Sequence, residues 1–99
     1  MKHTLKGNTL TVWLEGELDH HCAVDVRAQL EEWLGDPSIK HLVLNLKKLT
    51  FMDSSGIGVV IGRYKTLSRR GGDVVIEHAY GNVDRIFAMS GLYQIVKKR

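Results

Sequence analysis

The apolar residues of this 99-residue chain change their spacing several times, from the alternation typical of strands to the three- and four-residue intervals typical of helices. Strand formers fill residues 10–15, and residues 4–6 are expected to pair with them across a turn at Gly7 and Asn8. Further strands are predicted at residues 41–46, 73–77 and 93–96, and helices over 21–34, from Asp53 onwards and over 82–90. Strands that alternate with helices predict an α/β fold whose sheet contains parallel pairs.

Length and composition limit the classes of function. A chain of this size forms one domain, here residues 1–99, with a modest core. Cys22 is the only cysteine, so no internal disulfide can form, and residues 1–9 lack a signal-peptide pattern. We therefore expect a cytoplasmic protein, and the absence of an apolar run of roughly eighteen residues predicts no contact with a membrane.

The net charge of +3 is mild, and the basic residues do not form a stripe with interleaved aromatic residues. Such a stripe is the usual mark of a nucleic-acid site, so no direct nucleic-acid partner is expected.

A helix start at Asp53-Ser54-Ser55-Gly56 is the most informative position in the chain. A helix start carries unpaired N–H groups and a partial positive charge, so it stabilises an anion. Ser54 could therefore carry a phosphoryl group there. The alternative is that Ser54 or Asp53 only caps the helix, because both residue types are common caps.

Other residues allow weaker hypotheses. His20 and His21 beside Asp19 raise the possibility of a metal site, but no further ligand stands at a suitable spacing, so surface histidines are the better interpretation. A small hydrolase that uses Ser54 with His20 or His21 lacks the Gly-x-Ser-x-Gly pattern. No metal, cofactor or catalytic residue is therefore predicted.

Several apolar and small residues are predicted to serve packing. Gly58 and Gly62 lie inside the second helix, where each costs about 1 kcal/mol relative to alanine, so we expect a close backbone contact there. Six further residues are expected in the core: Trp13, Cys22, Trp33, Tyr64, Phe87 and Met89.

Three stretches of the chain together resemble one family. Residues 16–21 (Gly-Glu-Leu-Asp-His-His) resemble the early loop motif of STAS domains, residues 49–58 resemble their phosphorylation loop, and residues 89–92 resemble their late helix ending. Residues 59–65 are similar to the sporulation branch, the anti-sigma F factor antagonists. The resemblance covers nearly the whole chain, and its central motif is specific.

The resemblance implies a mixed β-sheet of four or five strands with helices packed mainly on one side. It also implies a regulatory binding protein rather than an enzyme. The unphosphorylated form would bind an anti-sigma factor that is also an ATP-dependent serine kinase, and so release a sigma factor for transcription. Phosphorylation of Ser54 would end this binding, and a serine phosphatase would restore it.

Two more expectations follow from the resemblance. Relatives usually continue into a C-terminal helical segment, which a chain ending at Arg99 is expected to lack. The partner surface is expected to combine the early loop, the phosphorylation loop and the exposed side of the second helix; its residues are Asp19, His20, His21, Asp53, Ser55, Gly56, Ile57 and Arg63. A scaffold role in a larger signalling assembly is the alternative within the same fold.

Overall fold

Five strands and three α-helices alternate along the chain in the computed structural model, which describes residues 1–99. The elements are β1 (Lys2–Lys6), β2 (Thr9–Leu18), α1 (His20–Trp33), β3 (His41–Met52), α2 (Ser54–Ser68), β4 (Asp73–Glu77), α3 (Gly81–Met89) and β5 (Lys97–Lys98), with a short 3₁₀ helix at Leu92–Gln94. The predicted α/β order of elements is confirmed.

The strands form one sheet in the order β1-β2-β3-β4-β5. β1 and β2 are antiparallel and are joined by the predicted two-residue turn, in which Gly7 takes a φ of +58°. All other neighbouring strands are parallel. The sheet is therefore mixed, and β2, β3 and β4 end at the same edge.

The core lies on one face of the sheet, where the three helices pack. Leu10, Leu42 and Val74 form one row across β2, β3 and β4, and all three are buried in the main hydrophobic cluster. The alternate residues, such as Thr11, point to the opposite face, which no helix covers. This arrangement confirms the expectation that the helices pack mainly on one side.

β3 ends at Met52, six residues later than predicted. Two bulges in this part of the strand interrupt the alternation of apolar and polar residues from which its end was predicted. The register between β2 and β3 shifts once between Trp13 and Glu15 and again between Gly16 and Glu17. At a bulge the strict alternation of inward and outward side chains is lost. Lys47 and Lys48 are accordingly both exposed, and the two adjacent lysines interrupt the strand pattern of the sequence after Leu46.

The predictions for the last strand and for three core residues, Trp13, Cys22 and Met89, are wrong. Trp13 is half-buried on the face of the sheet opposite the core, because its two neighbours in β2 point inward. Gly91, with a φ of +81°, turns the chain into the 3₁₀ helix, so the last strand starts only at Lys97. Cys22 is exposed because Ala23, the next residue on α1, faces the core instead. Met89 is 80% exposed at the end of α3.

The glycines of α2 serve different purposes. Gly56 is buried, and a Cβ at this position would lie 2.6 Å from Met52 Sδ and 3.1 Å from Leu18 Cδ2. The start of α2 can therefore reach the sheet only without a side chain there. The close backbone contact predicted at Gly58 and Gly62 is wrong, because an added Cβ would meet nothing within 4 Å at either position.

Candidate functional site

Two loops that are distant in sequence meet at the carboxyl edge of the sheet. Leu18 and Met52 are the last register pair of β2 and β3, and the Asp53 N–H donates to the Leu18 carbonyl at 3.4 Å. Asp19 and Asp53 follow this pair directly. The structure thus brings the two predicted motifs side by side, with α1 and α2 both starting at the same edge.

Each of these aspartates caps the helix that follows it. Asp19 Oδ1 accepts hydrogen bonds from the N–H groups of His21 and Cys22, both at 3.0 Å. Asp53 Oδ1 accepts one from the N–H of Ser55 at 2.8 Å. The bond from Cys22 is the main reason why the pKa of Asp19 is lowered.

Ser54 is the first residue of α2 and is exposed. The cap is Asp53, so the Ser54 hydroxyl is not used to satisfy the helix start. Ser55 differs, because it is half-buried and its N–H is held by Asp53. The Ser54 hydroxyl is therefore the more exposed of the two at the positive end of α2.

Two further residues hold this loop in place, and neither role was predicted, although Thr50 belongs to the motif at residues 49–58. Asn82 at the start of α3 accepts a hydrogen bond from the Met52 N–H at 3.1 Å. Thr50 donates from its hydroxyl to the Gly16 carbonyl at 3.0 Å and so ties the two loops together. Both contacts join residues at least 30 positions apart, which only the folded chain reveals.

A groove of about 380 Å³ opens between α1 and α2 next to this site. It is lined by His20, Ala23, Val24, Arg27, Ser55, Gly58 and Val59. Two predicted partner residues, His20 and Ser55, therefore face the groove. His21 is exposed, and its ring lies 4.1 Å from that of His20.

The prediction that Arg63 lies on the exposed side of α2 is wrong. Its side chain is only 7% exposed, and its Nη2 donates to Glu31 Oε1 of α1 at 3.2 Å. Arg63 stands three residues after Val60 and four residues before Leu67, both buried, so it shares their face of α2. Gly56 is also buried and contributes through packing, whereas Ile57 is half-buried.

The histidines and Ser54 are also placed relative to one another by the structure. No group of three or more histidine, cysteine, aspartate or glutamate side chains is arranged to hold a metal ion. Ser54 has no hydrogen-bonded histidine, the contact by which a hydrolase activates its serine. None of the helices combines the length and the apolar character that a membrane span requires.

Comparison with known proteins gives the family. The model of the STAS domain matches residues 2–99. The chain belongs to the STAS family. This STAS chain is 46% identical to the anti-sigma F factor antagonist of Paenibacillus polymyxa over 87 aligned residues. The alignment covers 88% of the chain and 74% of that relative. The chain is 30% identical over 89 residues to the anti-sigma-B factor antagonist of Bacillus subtilis strain 168, covering 90% of the chain and 80% of the relative.

Solved structures agree with this assignment. The unphosphorylated form of the anti-sigma factor antagonist SpoIIAA superposes with a TM-score of 0.87 at 29% identity, covering 99% of the STAS chain and 86% of SpoIIAA. The phosphorylated form of SpoIIAA from Bacillus gives 0.78 at 28% identity, with 99% and 89% covered. The predicted family and fold are confirmed, and these relatives are regulatory binding proteins rather than enzymes.

Proposed function

We propose that this STAS protein is an anti-sigma factor antagonist that is switched off by phosphorylation of Ser54. The unphosphorylated chain binds an anti-sigma factor with serine kinase activity, and the sigma factor held by that protein is released for transcription. The observation that carries the proposal is the exposed Ser54 at the start of α2, beside the loop of Asp19. The names of the relatives support the same function.

Ser54 is a better phosphate acceptor than Ser55. Ser54 is exposed, whereas Ser55 is half-buried and so less accessible to a kinase. A phosphoryl group on Ser54 extends from the positive end of α2, so the helix itself tolerates the added charge.

The switch acts through charge on the partner surface. A phosphoryl group adds about −1.5 to −2 charges at pH 7, next to the carboxylates of Asp53 and Asp19. An unmatched charge in an interface costs roughly 2–5 kcal/mol. That penalty weakens binding roughly 30- to 4,000-fold without a change of fold.

The partner surface contains the loop and helix residues that are accessible at this edge, namely Asp19, His20, His21, Asp53, Ser55 and Ile57. Gly56 supports this surface through packing, and the buried Arg63 does not belong to it. A serine phosphatase resets the switch. Similarity to anti-sigma F factor antagonists favours a role in sporulation, in the cytoplasm.

Mass mapping after phosphorylation tests this proposal. The chain is incubated with ATP and the anti-sigma F factor of Paenibacillus polymyxa, the protein that the 46% identical relative is named as antagonising. We expect one phosphate on Ser54, none on Ser54→Ala, and normal labelling of the matched control Ser55→Ala. We also expect Ser54→Asp to bind the same factor at least about 30-fold more weakly than the unmodified chain. Labelling confined to Ser55, or equal binding by the phosphorylated chain, would contradict the proposal.

A further inference from the structure

The groove between α1 and α2 has the character of a docking site. We propose that it receives an apolar side chain of the anti-sigma factor, while a neighbouring carboxylate of that partner binds Arg27. This inference rests on the proposed function and extends it by naming the chemistry of the segment that docks beside Ser54.

Three apolar residues line the groove, on both of its sides. Ala23 of α1 and Val59 of α2 are buried at its base, with exposures of 7% and 3%, whereas Val24 of α1 is 64% exposed at its rim. Because the walls are short side chains, the groove admits an aliphatic or aromatic side chain from outside.

Gly58 forms part of the groove, and packing within the chain does not explain it. Glycine has a lower helix propensity than alanine, and an added Cβ at Gly58 would meet nothing within 4 Å. Gly58 therefore leaves open space above the backbone of α2 that a side chain from a partner can fill.

The positive charge of Arg27 in the groove favours a partner segment that has an acidic residue next to its docked apolar side chain. Arg27 is 60% exposed and approaches only Glu31, at 3.6 Å. The same Glu31 oxygen also accepts a hydrogen bond from Arg63 at 3.2 Å, so it is shared between two guanidinium groups. No acidic residue lines the groove. Arg27 thus has donors to offer a carboxylate, which it can bind through two parallel hydrogen bonds.

The groove is continuous with the phosphorylation site, because Ser55 lines it and follows Ser54 directly. A carboxylate drawn to Arg27 therefore lies on the same side of the molecule as the phosphoryl group. Phosphorylation of Ser54 repels that carboxylate, so one segment of the partner both docks in the groove and responds to the switch.

Filling the groove gives a direct test with a matched control. Gly58→Leu places a side chain in the groove, whereas Gly62→Leu adds the same side chain one helical turn further along α2, outside the lining residues. Binding to the Paenibacillus polymyxa anti-sigma F factor is measured by calorimetry with ADP, which does not support phosphoryl transfer. We expect Gly58→Leu to weaken binding about tenfold or more, and Gly62→Leu to change it less than about twofold.

A charge variant tests the second half of the inference. Arg27→Gln is expected to weaken binding about tenfold or more, and the control Arg85→Gln, at an exposed position on α3, is expected to leave it unchanged. Circular dichroism and thermal unfolding verify that all four variants are folded.

The outcomes separate this inference from the proposed function. Unchanged binding by Gly58→Leu or Arg27→Gln, or equal losses in both leucine variants, overturns the groove inference. The proposed function still stands in that case if Ser54→Asp loses binding. A wild-type chain that does not bind the factor at all overturns both.

Discussion

Gly56 is the residue on which the position of Ser54 depends most directly. The backbone of α2 touches Met52 and Leu18 at this point, both of which are fully buried. Two positions further along, Gly58 has open space around it. Substitution of Gly56 and of Gly58 is thus expected to change the free energy of unfolding in opposite directions.

Gly56→Ala is expected to reduce the free energy of unfolding by about 1–3 kcal/mol, because the new methyl group overpacks the contact with Met52. Gly58→Ala is expected to raise it by up to about 1 kcal/mol, because alanine favours the helix. Urea unfolding monitored by tryptophan fluorescence measures both. A stable Gly56→Ala variant would mean that Met52 can move away at little cost.

At the residue scale the sequence predicted what depends on local motifs. Two residues, Ser54 and Asp53, were predicted as possible caps of the second helix, and the structure shows that Asp53 is the cap. The exposure of Cys22 could not be predicted, because it depends on how α1 is rotated against the sheet. The burial of Arg63 follows from its spacing to Val60 and Leu67, but the charge of its side chain favoured an exposed position.

Among the elements, α1 and α2 share an unusual polar contact. Arg63 is buried between them, and its Nε and Nη1 have no hydrogen-bond partner within the protein. Burial lowers the pKa of Arg63, while Glu31 opposes this change. The single contact with Glu31 is therefore the main compensation for a buried charge.

Glu31→Gln is expected to reduce the free energy of unfolding by about 1–3 kcal/mol, because it weakens the one charged contact of the Arg63 guanidinium. Arg63→Met should be nearly neutral, because a hydrophobic residue of similar length replaces a costly buried ion. The double variant should be no less stable than Arg63→Met alone, and chemical denaturation of all three measures this. If Arg63→Met is the least stable of the three, the guanidinium stabilises the interface.

The elements themselves were predictable wherever their periodicity was regular. The helices and β4 lie close to their predicted bounds, whereas β2 continues past its predicted end at residue 15 to Leu18. β3 beyond Leu46 and the position of β5 were not predictable, because bulges and the turn at Gly91 are set by pairing with strands far away in sequence.

Over the whole molecule, several carboxylates are held by hydrogen bonds and cations. The hydroxyl of Tyr93 and then Lys98 lower the pKa of Asp84, and Ser38 lowers that of Asp36. Asp19 behaves in the same way at the candidate site, where the Cys22 N–H is the main cause. The carboxylates with a lowered pKa are therefore spread over the molecule, and only Asp19 lies near Ser54.

The chain is therefore expected to lose stability in acid. A carboxylate whose pKa in the folded state lies below its ordinary value of 3.8 stabilises the fold above that value. The contribution is lost as the pH falls through the lowered pKa. The midpoint of urea unfolding should be constant from about pH 7 to 5 and fall steadily below about pH 4. Asp84→Asn should flatten this dependence, and a midpoint that does not change down to pH 3 would contradict it.

The two bulges of β3 allow this strand to pair along its whole length with the shorter strand β2. From the first register pair to the last, Thr9 to Leu18 is nine steps along β2, whereas His41 to Met52 is eleven steps along β3. Removing the extra residue of a bulge, such as Thr50, would let Leu49 and Phe51 pair one to one with Gly16 and Glu17, which restores the alternation of side chains and keeps Ser54 in place. Removing a residue from the regular part of β3, such as Leu44, would instead draw the later residues back by about 3.3 Å and turn their side chains over. Deletions should therefore be tolerated at the bulges and not between them.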